Sequence, residues 1–176
     1  MAAGNTYTQI SSQTLASAAT GLSLSGFGGY TDLRIVVTFY KGTSSGDFIQ
    51  FNNSSTGYEG WYLHSFSSSN PSPVRSVYYT TSPAYTYGAW TPFSTSVPSF
   101  YDIYIPYYST TSTYKYAFIN FGSTVSGPNN PGQYREKDSN QIQWKDTSAI
   151  TSVYIYSGAN SFAAGTRVDV YGITEA

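Results

Sequence analysis

The chain has no cysteine, one histidine, one methionine, and only eight basic and nine acidic residues among 176. Each shortage excludes something. Without cysteine there is no disulfide framework and no thiolate metal centre. One imidazole, His64, builds no multi-histidine metal site, and as a base it would need a nucleophile and an orienting acid that no motif supplies. Charged residues are 10% of the chain, against about 25% in ordinary globular proteins. Scattered basic residues form no phosphate-tracking stripe, which argues against a nucleic-acid partner. No apolar run approaches the roughly 20 residues of a membrane span, so no membrane role is expected. The start, MAAGNTYTQISSQTLASAA, lacks the basic and apolar regions of a signal peptide. P-loop, HExxH, GxSxG and calcium-loop patterns are missing. The carboxylates are scattered; hairpins could bring together Asp47 with Glu59, or Asp102 with Glu136, but such pairs arise by chance in any sandwich. The expectation is a protein that is not an enzyme and takes no cofactor or metal.

Serine, threonine, glycine and tyrosine take the place of charge. Nineteen tyrosines dominate an aromatic content of 18%. Tyrosine carries a broad apolar face and one hydroxyl, which suits wet sheet faces and subunit interfaces. Low charge serves a free monomer poorly and fits a protein that lives in an assembly.

Helical periodicity is nearly absent; LASAATG at 15–21 is too short to stand as a helix. Period-two alternation is frequent. In TDLRIVVTFY, Leu33, Ile35, Val37 and Phe39 share one face. In YKYAFINFG, Lys115, Ala117, Ile119 and Phe121 oppose Tyr114, Tyr116, Phe118 and Asn120. Trp144 shares a face with Ile142 and reads as core. FAAGTRVDVYGI, 162–173, alternates almost throughout and needs sheet partners to hold it, so it is expected to close the fold, with Val168 and Val170 inward. If that strand neighbours 31–40, an ion pair Arg34–Asp169 or Asp32–Arg167 is one arrangement open to it; the other is that all four side chains sit solvated at strand edges. Residues 81–99 carry three prolines and read as an aromatic loop, or a short edge strand near Tyr85–Trp90. Residues 122–140 read as a second long loop with YREKD at a solvated hairpin tip. About nine or ten strands with no crossover helix give an all-β protein: one domain, 1–176, an antiparallel two-sheet β-sandwich, jelly-roll-like.

Three segments carry a resemblance. They are YTQISSQTLASAATGLSLSGFGGYTDLRIVVTFY, then FNNSSTGYEGWYLHSF at 51–66, then AGTRVDVYGI at 164–173. Together, in this order, they resemble a recurrent pattern of bacteriophage virion structural proteins. The middle, about 67–140, has no such match. The resemblance implies a jelly-roll-like sandwich in the virion: a capsid decoration or cement protein in the first place, a tail-fibre or receptor-binding module in the second. It implies a homo-oligomer, a trimer before a dimer, with the major capsid protein or other virion proteins as partners. A host-surface glycan is the further partner that the second role would add.

The candidate contact surface is aromatic: Tyr85, Tyr87, Trp90, Phe93, Tyr107, Tyr108 and Tyr134, with Arg135 beside them. Trp61, Trp90 and Trp144, with Tyr85, Tyr87, Tyr107 and Tyr108, are also the rings available for stacking on sugar faces.

Overall fold

The computed structural model describes residues 6–41, 46–68, 70–71, 75–81, 84–85, 96–127 and 130–174, and the side chains of these apart from 62, 64–85 and 124–138. Its strands are β1 (Tyr7–Thr14), β2 (Gly21–Ser25), β3 (Asp32–Phe39), β4 (Asp47–Phe51), β5 (Tyr58–Ser68), β6 (Asn70–Pro71), β7 (Arg75–Thr81), β8 (Ala84–Tyr85), β9 (Ser99–Ile105), β10 (Lys115–Gly127), β11 (Asn130–Trp144), β12 (Ser152–Ser157) and β13 (Arg167–Ile173). The described residues contain no helix, and 15–20 instead runs alongside the segment before β13, bridging Ala19 to Phe162.

Two antiparallel sheets form. The larger runs β1-β13-β3-β9-β10-β11-β5-β6, with β7 also on β5; the smaller runs β2-β12-β4-β8. In β1, β2, β3, β4, β8, β9, β12 and β13, the first strand pairs with the last, the second with the seventh, the third with the sixth and the fourth with the fifth. Nested pairing of this kind is a jelly roll. Two insertions widen its larger sheet: β5 to β7, and the hairpin β10–β11.

Alternation explains the core. Leu33, Ile35, Val37 and Phe39 are fully buried, as are Val170 and, almost fully, Val168. Ala117, Ile119 and Phe121 continue that layer on β10, and Ile142 and Trp144 on β11. Leu22, Ile49, Val153 and Ile155 face them from the small sheet. Aromatic rings fill the space between. Phe39 stacks on Tyr101 at 4.8 Å and meets Phe162 edge-on at 5.6 Å. Tyr58 stacks on Trp144 at 6.2 Å, and its hydroxyl accepts from the Phe51 N–H at 2.7 Å. Burial pushes the Tyr58 phenol up to about 12.

One ion pair lies inside this apolar space. Lys41 follows β3, Asp47 opens β4, and they bond to each other with no exposure on either side chain. Tyr101 donates to the second Asp47 oxygen at 2.6 Å. Burial pulls the Lys41 ammonium down and pushes the Asp47 carboxyl up. The two charges are tolerated there because each is the other's partner.

The first and last of the resembling segments meet in space. The Tyr30 ring lies flat over Gly172, where an added Cβ would come within 2.2 Å of it. Asn52, in the left-handed backbone region at φ 50, donates to Ala149 O and accepts from the Thr151 and Ser152 N–H groups, tying the turn after β4 to the entry of β12. Asp32 accepts from the Tyr104 hydroxyl at 2.6 Å and the Tyr107 N–H at 2.8 Å.

Three expectations are corrected. Residues 122–127 and 130–140 are not a loop: β10 and β11 pair from Lys115↔Trp144 as far as Gly127↔Asn130. YREKD is mid-strand, between β10 and β5, because an antiparallel partner on each side satisfies the backbone however polar the side chains are. β3 and β13 do neighbour each other, yet their register sets Arg34 opposite Tyr171 and Asp32 opposite Ile173. Arg34 therefore turns to Asp102 on β9, and Arg167 bonds Asp169 two residues along its own strand.

Lys41→Met strands a buried carboxylate and is expected to cost about 3–5 kcal/mol in urea unfolding, with Lys41→Met/Asp47→Leu losing less than the single variant. Gly172→Ala is expected to cost about 1–3 kcal/mol, and Tyr30→Ala in the same chain to make the double variant lose less than the sum.

Candidate functional site

The outward face of the large sheet holds rings that the core does not claim. Along one cross-strand row lie Tyr171, Arg34, Tyr104, Phe118, Gln141 and Trp61, each directly opposite the next. Trp61 is 57% exposed, Phe118 40% and Tyr104 37%. Alternation is the cause: on β9 and β10 every second residue fills the core, and its neighbours must point out.

Polar groups flank this row. Tyr104 and Phe118 stack at 6.3 Å. Beside them, Arg34 forms a two-pronged bond to Asp102, both contacts at 2.8 Å, and its guanidinium sits 5.9 Å from the Tyr7 ring. Asp102 holds the Arg34 guanidinium above its ordinary value. The bond to Asp32 pushes the Tyr104 phenol up to about 12. At the other end, the Gln143 amide donates to the Tyr116 hydroxyl and Lys145 pairs with Glu59.

Two shallow depressions result. One, of about 180 Å³, is lined by Glu59, Trp61, Tyr116, Gln141 and Gln143. The other, of about 350 Å³, is lined by Tyr7, Arg34, Asp102, Tyr104, Phe118 and Asn120. Phe118 and Gln141, one from each, are direct cross-strand neighbours. Such a face offers ring surfaces and hydrogen-bonding groups, and the charged side chains described beside the two depressions are paired.

The carboxylate pairs considered from sequence do not converge. Asp47 is buried with Lys41 on the small sheet, while Glu59 sits on the large sheet with Lys145. Asp102 is bound by Arg34 on β9, and Glu136 lies two strands away on β11. Among the described residues no three His, Asp or Glu side chains gather as a metal site.

The sequence-derived contact residues fall in different places. Tyr107 is 52% exposed in a left-handed backbone conformation, φ 46, held by Asp32. Tyr108 is a correction: it is buried, packed edge-on against Phe27 at 6.2 Å, because its neighbour's turn points it inward. Tyr85 ends β8 opposite Phe48. Tyr134 and Arg135 are strand residues of β11 opposite Val125 and Thr124. Tyr87, Trp90 and Phe93 lie outside the described residues. Of the rings considered for stacking, Trp144 is core and Trp61 is on the surface. Sequence reading did not join Trp61 to Tyr116, Gln141 and Gln143. The signal available was the pair Tyr116 and Phe118 on the face of β10 opposite its core residues.

Comparison with protein-family models, curated proteins and solved structures finds no match to this chain.

Tyr104 is the group here with a clear pH consequence. A phenol raised by donating to a carboxylate contributes stability that is complete below its ordinary value of 10.0 and fades as pH rises towards about 12. Tyr104→Phe is expected to show a shallower loss of stability across that interval in pH-dependent urea unfolding. Asp32→Ala, which abandons two donors, is expected to cost about 1.5–3 kcal/mol at neutral pH.

Proposed function

We propose that this chain is a non-enzymatic bacteriophage virion structural protein, of the capsid decoration or cement type, acting as a homo-oligomer on the capsid surface. The observation that carries this reading is where the three resembling segments fall. They supply β1, β2, β3, the turn after β4, most of β5 and β13, and of these β1, β13 and β3 lie side by side in the large sheet. Tyr30 of the first segment covers Gly172 of the last. The resemblance thus covers both ends of the jelly-roll frame and reaches into β5, while the stretches outside it supply β8, β9 and β12 of the frame and the insertion strands β6, β7, β10 and β11. Low charge and an exposed tyrosine held on strained backbone, Tyr107, also favour a protein that is covered in its working state. Its mechanism is buried area: aromatic side chains pack against sister subunits and the shell, as in obligate interfaces.

A tail-fibre or receptor-binding module is the second reading, favoured by the ring-and-amide face on the large sheet. Copy number per particle separates the two. Quantitative mass spectrometry of purified virions is expected to find the chain in hundreds of copies; a handful would favour the tail, and none would overturn both readings. Tyr107→Gly relieves the backbone strain, so it is expected to leave the melting temperature of the isolated protein within a degree or two while lowering its occupancy on particles.

A further inference from the structure

We propose that the outward face of the large sheet, from Arg34 across to Trp61, is a binding cleft for a linear, uncharged oligosaccharide lying across the strands. The inference goes beyond the virion assignment and does not depend on it.

Three features point to this ligand class. The first is the spacing of the rings. Tyr104 and Phe118 make one platform, Trp61 makes a second, and Gln141 lies between them in the same row. A protein-binding hot spot gathers its rings into a contiguous apolar centre. Here an amide interrupts them, which suits a pyranose chain, whose C–H faces stack on rings while the hydroxyls at its edges need hydrogen-bond partners. The second is charge. The cations and carboxylates that line both depressions are paired with one another, Arg34 with Asp102 and Lys145 with Glu59. Among the described side chains, that leaves no unbalanced charge in either depression to select an anionic chain or a charged peptide. Asn120, Gln141 and Gln143 supply neutral donors and acceptors along the path. The third is reach. From β3 to β5 the row crosses four strand spacings, about 19 Å, which is roughly the length of four pyranose units. Hydrogen bonds on the same face fix two of the rings: Asp32 accepts from the Tyr104 hydroxyl at 2.6 Å, and the Gln143 amide donates to that of Tyr116. Preorganised rings lose little freedom on binding.

Each ring would stack on the apolar face of one sugar unit, and the amides would bond hydroxyls at the edges. The test is isothermal titration calorimetry of the isolated full chain against soluble hexasaccharides of neutral α-glucan, β-glucan, mannan, galactan and N-acetylglucosamine polymers. At least one is expected to bind at about millimolar Kd or tighter. Its affinity should rise with chain length from the disaccharide to about the tetrasaccharide and then level off. Trp61→Ala and Phe118→Ala, both on exposed rings, are each expected to weaken binding about tenfold or more, and Gln141→Leu to weaken it with the rings intact. Unchanged melting temperatures exclude unfolding as the cause. Failure of every oligosaccharide to bind, or binding that survives Trp61→Ala, overturns the proposal. So does a concentration-dependent self-association that Trp61→Ala abolishes, because the face would then belong to a second copy of the chain. None of these results alters the virion copy number that tests the proposed function.

Discussion

The slot between β1 and β3 is the constraint on which the rest of the molecule depends. β13 fills it with backbone hydrogen bonds on both sides, Tyr7↔Ile173 to Thr14↔Arg167 along one edge and Asp32↔Ile173 to Thr38↔Arg167 along the other. β12 fills the matching slot between β2 and β4. Among the described strands, β1 has no neighbour except β13, and β2 none except β12. With both slots filled, the inward residues of the two sheets meet and the aromatic layer around Phe39 closes. Gly172 belongs to the same device, since its missing side chain lets Tyr30 lie on the strand and cap that end of the sheet.

A chain this poor in charge uses its few ionic groups with economy of position. Lys41 and Asp47 cross the gap between β3, in one sheet, and β4, in the other, and hold the two together at that end of the core. On the surface, Arg34–Asp102 and Lys145–Glu59 are half-exposed pairs of small stabilising value. Their stronger effect is electrostatic: they neutralise the borders of a sheet face whose middle is aromatic.

The jelly roll was largely legible because period-two alternation reports directly on which side of a sheet is dry. It set Leu33, Ile35, Val37 and Phe39 on one face and Ala117, Ile119 and Phe121 on one face, and placed Val168 and Val170 inward; all of these are buried. It failed where both faces of a strand are polar. GSTVSGPNNPGQYREKDSN carries no clear alternation and is rich in turn formers and charges, yet 122–127 end β10 and 130–140 belong to β11, which pairs with β10 and β5. Register was equally invisible, so Arg34 was matched with a residue on the right neighbouring strand while its partner lay on the other one, at Asp102. The candidate site was half legible. Exposed aromatics on β10 could be read from the spacing of Tyr116 and Phe118. Their convergence with Trp61 and Gln141 depends on long-range register between strands, and no local pattern encodes that.

The nesting of first strand with last has a consequence for how the molecule comes to be folded. Gln9 and Asp169, hydrogen-bonded across β1 and β13, are 160 residues apart in sequence. On a ribosome the early segments β1 and β2 emerge with unpaired edges long before β13 and β12, their neighbours among the described strands, exist. Contacts so distant close slowly, and unpaired strand edges invite association with other chains in the meantime. During synthesis this protein therefore passes through a prolonged interval as an open, sticky half-sheet, and its yield in the cell should be governed by how well nascent chains are kept apart until the late strands arrive.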